Sequence, residues 1–266
     1  MNLHEALALG IVQGLTEFLP VSSSGHLVLL QRVFGLQQNV LLYDVLLHLG
    51  TLVAVLAVFW QDFLGILKKP FSRLTYLLIV GTIPAAVLGL ALQDFFDRLF
   101  KTGQTIGVEF LITGLVIWVV DKAGHGRKSM ERVSYLDAAV IGTAQGLAIF
   151  PAISRSGLTI AGSLLRGLDR RAAARFSFLL SAPAILGAAA VEGKDLLKPG
   201  YPLPVTTPML WGTLAAAVAG YLAIRIMLRV ITRGSLKPFS YYVWALGLLV
   251  LLDQFTLKLF FPPLFK

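Results

Sequence analysis

Two short stretches hold most of the side chains able to do chemistry. The first contains Gln13, Glu17, Pro20, Ser22, Ser23, Ser24, Gly25 and His26; the second contains Pro151, Ser154, Arg155, Ser156, Gly157 and Thr159. Gln13 and Glu17 are four residues apart, so on a helix they share a face and point at one place. A carboxylate there can accept a proton as general base, or bind Mg²⁺ or Ca²⁺ through oxygen together with a substrate's own phosphates. Ser23 is a candidate nucleophile and His26 a candidate acid or base, because both lie within two turns of Glu17 across Pro20.

The second stretch answers the first with donors. Arg155 supplies a planar guanidinium, and Ser22, Ser24, Ser154, Ser156 and Thr159 supply hydroxyls, a set suited to an oxyanion, phosphate above all. Two blander readings stand beside this one. A histidine in apolar surroundings usually only satisfies a hydrogen bond, and Glu17 with Arg155 would also serve as an ion pair locking two segments together. An ion-pair lock needs none of the additional donors.

The elements that must carry these residues are set by composition. Of 266 residues 56% are hydrophobic and 14% charged, and the mean hydropathy is +0.78, which excludes an ordinary soluble domain. Apolar spans long enough to cross about 30 Å of hydrocarbon run at roughly 41–60, 74–93, 104–121, 171–192, 208–231 and 239–261. Two more apolar regions, about 2–34 and 134–167, are interrupted by Pro20 and Pro151 with their serines and glycines. A proline disfavours helix in the residue before it, and the following serine caps a new helix, so each region reads as two half-helices folded into a hairpin; a kinked continuous span is the alternative. Burying an ionisable group at such a break costs on the order of 3 kcal/mol, which makes Glu17 and Arg155 functional candidates by default. Half-helices starting near Ser24 and Ser156 would also aim backbone N–H groups at the centre.

Shifting the sequence by 132 positions lays one broken region on the other: Gly10, Gln13, Gly14, Leu15, Phe18, Ser22, Ser24 and Gly25 meet Gly142, Gln145, Gly146, Leu147, Phe150, Ser154, Ser156 and Gly157. Each copy holds one hairpin and three crossings, an odd number, so the second copy enters from the opposite face. The expected fold is an all-α polytopic membrane protein with an inverted-topology repeat, six full transmembrane helices and two re-entrant helical hairpins. It forms a single membrane domain over 1–266, with a first repeat at 1–121, a basic cytoplasmic linker at 122–133 and a second repeat at 134–261.

The formal charge of +9 falls in short loops and forms no stripe of the kind that binds nucleic acid. Basic residues crowd the segments 68–73, 122–132, 166–175 and 225–237, whereas the other face has only Arg32, Arg98, Lys101, Lys194, Lys198, Lys258 and Lys266. By the positive-inside rule the crowded face is cytoplasmic, which turns both termini and the mouth of the first hairpin outward. Zero cysteines exclude disulfides and thiolate chemistry. Glu5, Gln13 and Glu17 interrupt the N-terminal segment, so it is expected to belong to the membrane domain and not to a signal peptide. Asp44 and His48, four apart near the outer end of the first crossing, are expected to line an access path or snorkel to the interface. His4 and His125 are expected at the surface. No grouping has the three-ligand spacing of a zinc site.

The run Gln13 to His26 and the run Pro151 to Thr159 resemble the two signatures of the bacterial undecaprenyl-diphosphate phosphatases, the bacitracin-resistance family, and the likeness extends to length, hydropathy and repeat organisation. The resemblance implies hydrolysis of the C55 isoprenyl diphosphate to the monophosphate carrier used in cell-wall synthesis, in the plasma membrane, with a divalent cation, Mg²⁺ or Ca²⁺. The family's acidic motif falls on Gln13 and Glu17, its Ser and His on Ser23 and His26, and its phosphate-binding residues on Ser154, Arg155, Ser156 and Thr159. Two positions depart from the pattern: Gln13 is the non-acidic variant, and Ala152 stands where glycine is usual. Lipid phosphatases of the phosphatidic-acid type are excluded, since they need a histidine after the Ser-Arg and none follows His125. The alternative function is a transporter or flippase of lipid phosphate, because inverted repeats with broken helices also suit alternating access.

Overall fold

The structure, a computed structural model, describes residues 1–36, 40–122, 126–196 and 205–264. His125, Lys198 and Lys266 lie outside the described residues. Each half of the chain opens on a capped helix. In α1 (Leu3–Phe18) Asn2 and Glu5 form a capping box, and in α8 (Tyr135–Leu147) Ser134 and Asp137 form another. Each box satisfies two of the free N–H groups that begin a helix.

Both helices stop where a proline follows. The chain leaves helix at Leu19–Ser22 and resumes as α2 (Ser23–Val33); it leaves again at 148–154 and resumes as α9 (Arg155–Leu165). The kinked-span alternative is therefore not what forms. Ser22 and Ser154 are the N-caps of the new helices, accepting from the N–H of Gly25 and of Gly157. The half-helices fold back on their partners: Leu27 of α2 sits in one apolar cluster with Ala6 and Leu9 of α1, and Gly162 of α9 lies against Ala144 and Ile141 of α8.

The remaining helices are α3 (Val40–Val58), α4 (Trp60–Lys68), α5 (Arg73–Ala91), α6 (Gln93–Thr102), α7 (Ile106–Lys122), α10 (Arg170–Leu196), α11 (Thr207–Arg233) and α12 (Lys237–Leu252). Five of them, α3, α5, α10, α11 and α12 with its continuation to Leu257, are long and apolar enough to cross a membrane; α7 makes a sixth when joined to α6 across a 107° bend. Gly103, at φ 60°, supplies the left-handed residue that ends α6 at that bend. The segments with Lys68 and with Arg98 and Lys101 are helical, α4 and α6, where crossings joined by loops were expected. The chain is a multi-pass membrane protein. Val53, Ile83, Val87, Leu115, Leu214 and Leu248 project outward, an apolar exposure that lipid tolerates and water does not.

Packing pairs the helices: α1 runs along α11 and α8 along α5, while α3 meets α10 and α7 meets α12. The first two contacts are close because a Cβ on Gly10 would collide with the carbonyl of Gly212, and one on Gly142 with that of Gly81. A large apolar core lies beneath the first break, where Phe18 meets Phe178 edge to face at 5.6 Å. Polar groups gather at two poles. At one, Asp137 holds Lys128 and Arg166, Asp121 holds Arg170, and Asp62 holds Arg175; at the other, Arg32 bonds the carbonyls of Phe260, Lys101 and Thr102.

Candidate active site

Glu17, the penultimate residue of α1, is buried, and its carboxylate collects side chains from four elements. Oε1 pairs with Arg155 Nη2. Oε2 accepts from Gln13 Nε2 at 3.0 Å and from Ser23 Oγ at 2.5 Å, and His48 Nε2 of α3 stands 4.0 Å away. Ser23 and Arg155 are the first residues of α2 and α9, one position earlier than the helix starts expected at Ser24 and Ser156. Both half-helices thus begin at the carboxylate, where the partial positive charge of a helix N-terminus favours anions.

The pairing is incomplete. Arg155 Nη1 and Gln13 Oε1 are buried and have no hydrogen-bond partner among the described residues. A guanidinium is built to make two parallel bonds, and an unmet buried donor costs about 1–3 kcal/mol. Gln13 Oε1 and the Glu17 carboxylate are neighbouring oxygen donors, a set that fits a hard divalent cation shared with phosphate oxygens. Among the described residues no three His, Cys, Asp or Glu side chains converge into a dedicated metal cage.

Three of the other expected site residues, Ser22, Ser154 and Ser156, are drawn into holding the two breaks. Ser22 Oγ donates to Pro151 O at 3.1 Å and Ser156 Oγ to Leu19 O at 2.8 Å, so each break is bonded to the other. Ser154 Oγ accepts from Gly157 N at 3.0 Å and shares a bond with Ser156 Oγ at 3.2 Å. Thr159 turns to Ser177 of α10 at 2.6 Å. Ser24 is half-buried at the second position of α2. His26 Nδ1 lies 2.6 Å from Ser22 O, which fixes a proton on that nitrogen because a carbonyl only accepts. Its Nε2 then accepts from Tyr242 of α12 at 2.8 Å, with the two rings stacked. Both nitrogens of His26 are thereby occupied away from Glu17.

Several residues at the site were missed by reading the sequence or placed elsewhere. His48 faces Glu17, beyond the access path or interface expected for it, while Asp44 accepts from Gln31 at 2.7 Å. Tyr242 and Ser177 gave no local signal. Glu109 and Thr113 of α7 bond the second break; an acid set well inside the apolar span 104–121, away from its ends, was the available sign.

The family model for bacitracin resistance protein BacA matches residues 6–249. This chain belongs to the BacA family. Among its relatives, an undecaprenyl-diphosphatase of Carboxydothermus hydrogenoformans is 55% identical over 256 residues, 96% of this chain and 98% of that protein. An undecaprenyl-diphosphatase of Halothermothrix orenii is 45% identical over 95% of this chain and 98% of its own length. One from Alkaliphilus metalliredigens is 41% identical with the same coverage.

Proposed function

We propose that this protein hydrolyses undecaprenyl diphosphate to undecaprenyl phosphate and inorganic phosphate at the cluster around Glu17 and Arg155. BacA membership and the names of its relatives support the substrate; the observation that carries the site is the buried, unpartnered Nη1 of Arg155 beside two helix N-termini. A diphosphate placed there would receive the fork of Arg155, which exchanges its bond to Glu17 for bonds to phosphate oxygens. Ser23, already donating to Glu17 Oε2, is the nucleophile. Its oxygen attacks the terminal phosphorus, its proton passes to Glu17, and the anhydride bond to the lipid phosphate breaks; water then releases phosphate from the serine. Ser22, Ser154 and Ser156 shape the phosphate site by holding the two breaks, the half-helices that carry Ser24 and Thr159 flank it, and His26 sets the turn that presents Ser23. Gln13 and Glu17 would hold Mg²⁺ or Ca²⁺ with the substrate's phosphates, and the cation would neutralise diphosphate charge.

Two architectural readings belong to this proposal. The chain is a single domain, with repeats at 1–121 and 134–261 in inverted topology across a cytoplasmic linker at 122–133. The matched capping boxes, the matched serine caps, and the packing of α1 on α11 and α8 on α5 all support it. The protein sits in the bacterial inner membrane with its basic pole cytoplasmic and both termini and the mouth of the site outside. The carrier lipid it would regenerate serves cell-wall synthesis, and bacitracin resistance follows from turnover of the diphosphate.

Purified protein in detergent, given a long-chain isoprenyl diphosphate and Mg²⁺, is expected to release inorganic phosphate without any membrane potential. Absence of phosphate, with lipid movement in liposomes, would favour a carrier instead. For orientation, single cysteines at Lys69, Lys128 and Lys237 should resist an impermeant thiol reagent in intact cells, and one at Lys194 should react. The reverse pattern would overturn the outward-facing site.

A further inference from the structure

Non-helical backbone at membrane depth must have every N–H and C=O satisfied by protein or by water in a cavity. The second break meets this requirement through α7. Ala152 N donates to Glu109 Oε2 at 2.5 Å, Thr113 Oγ1 donates to Ala152 O at 2.9 Å, and Ser154 N donates to Thr113 Oγ1 at 3.1 Å. One hydroxyl therefore serves as donor and acceptor on the same turn. Thr105 holds the other carboxylate oxygen of Glu109. Glu109 and Thr113 are both buried and four residues apart on one face of α7.

These three bonds end at Ser154, the residue before Arg155. They fix the Ala152–Ser154 backbone, and with it the direction in which α9 starts and Arg155 projects. We propose that Glu109 and Thr113 are positioning residues for Arg155: they hold the turn that presents its guanidinium to the Glu17 centre and to a diphosphate bound there. Among the described residues Glu109 and Thr113 bond Thr105, Ala152 and Ser154 and not Glu17, Ser23 or the guanidinium itself, so their effect passes through backbone. The positioning role rests on the phosphatase reading above.

The test uses the full chain in detergent, measuring turnover, KM for a long-chain isoprenyl diphosphate, and melting temperature. Thr113→Val keeps volume but removes both bonds, and Glu109→Leu removes the acceptor of Ala152 N–H. Each should lower kcat by on the order of tenfold to a hundredfold, the scale of a misplaced catalytic group, with KM within about twofold. Thr113→Ser and Glu109→Gln keep an acceptor and should restore most of the lost turnover. In an Arg155→Lys background, Thr113→Val should cost less than about threefold more, since residues acting as a unit are not additive.

A structural role alone would predict lowered melting temperature with unchanged turnover per folded molecule, or a full further loss in the Arg155→Lys background; either result overturns the positioning role. Should Glu109→Leu fail to fold, the Thr113 pair decides. Phosphate release by the unmodified chain tests the phosphatase reading independently. An active wild type with unaffected Thr113→Val sinks only the positioning role.

Discussion

The two breaks solve the same problem in different ways. The first, Leu19–Ser22, is short, and it closes by forcing Ser22 to φ 66°, a region that non-glycine residues rarely occupy. Its backbone is bonded by a residue of its own hairpin: His26, one turn into α2, binds Ser22 O and is itself backed by Tyr242 of α12. The second, at 148–154, is longer, its cap Ser154 has an ordinary φ of −73°, and it is held from outside by Glu109 and Thr113. The strained break presents the acid and the hydroxyl, Glu17 and Ser23, while the relaxed and externally clamped one presents the cation. Strain of this kind costs about 1–3 kcal/mol and persists only where neighbours over-determine it; the reciprocal serine bonds between the breaks help to do so.

The contrast is open to attack from its most demanding end. Glu17→Gln removes charge at nearly fixed volume and should cut turnover about a hundredfold at saturating Mg²⁺, the range for losing a general base. Near-normal turnover would reduce the first break to scaffolding.

A matched pair then probes the backbone. Glycine at Ser22 loses a cap but relieves a positive φ, whereas glycine at Ser154 loses a cap and relieves nothing. Ser154→Gly should therefore destabilise by about 1 kcal/mol more than Ser22→Gly. Equal shifts in melting temperature would mean that Ser22 carries no strain. Smallest of all, Tyr242→Phe removes one donor to His26 and should leave turnover within about threefold, a net hydrogen bond being worth about 0.5–1.5 kcal/mol. A loss comparable to Glu17→Gln would promote Tyr242, through His26, into the chemistry.

Much of this was legible in residues that punctuate the chain. Pro20 and Pro151 with the serines after them marked both breaks and both N-caps, and the apolar runs located the crossing helices. The charge-bearing centre was legible too, because Glu17 and Arg155 are ionisable groups beside breaks in apolar sequence. What stayed hidden depends on how helices pack. His48 sits on α3, whose rotation against α1 no local pattern encodes. Glu109 and Thr113 find their partners some 40 positions away in the second break. Short α4 and α6 were merged with loops since each is too brief to register against the long spans beside it. The serines gave a subtler lesson: their types suit phosphate, but Ser22, Ser154 and Ser156 spend their hydroxyls on the backbone of the breaks.

The central claim is that Arg155 reaches for phosphate and does not merely lock the hairpins to each other through Glu17. Arg155→Lys separates the two, because lysine keeps the charge and loses the planar fork. The decisive measurement is turnover together with melting temperature for wild type, Arg155→Lys and Arg155→Ala in one detergent. A phosphate clamp predicts that Arg155→Lys melts normally and is nearly inactive. A lock predicts that Arg155→Lys is active, and that Arg155→Ala melts early because a buried carboxylate has lost its partner. An active, normally melting Arg155→Lys would contradict the account.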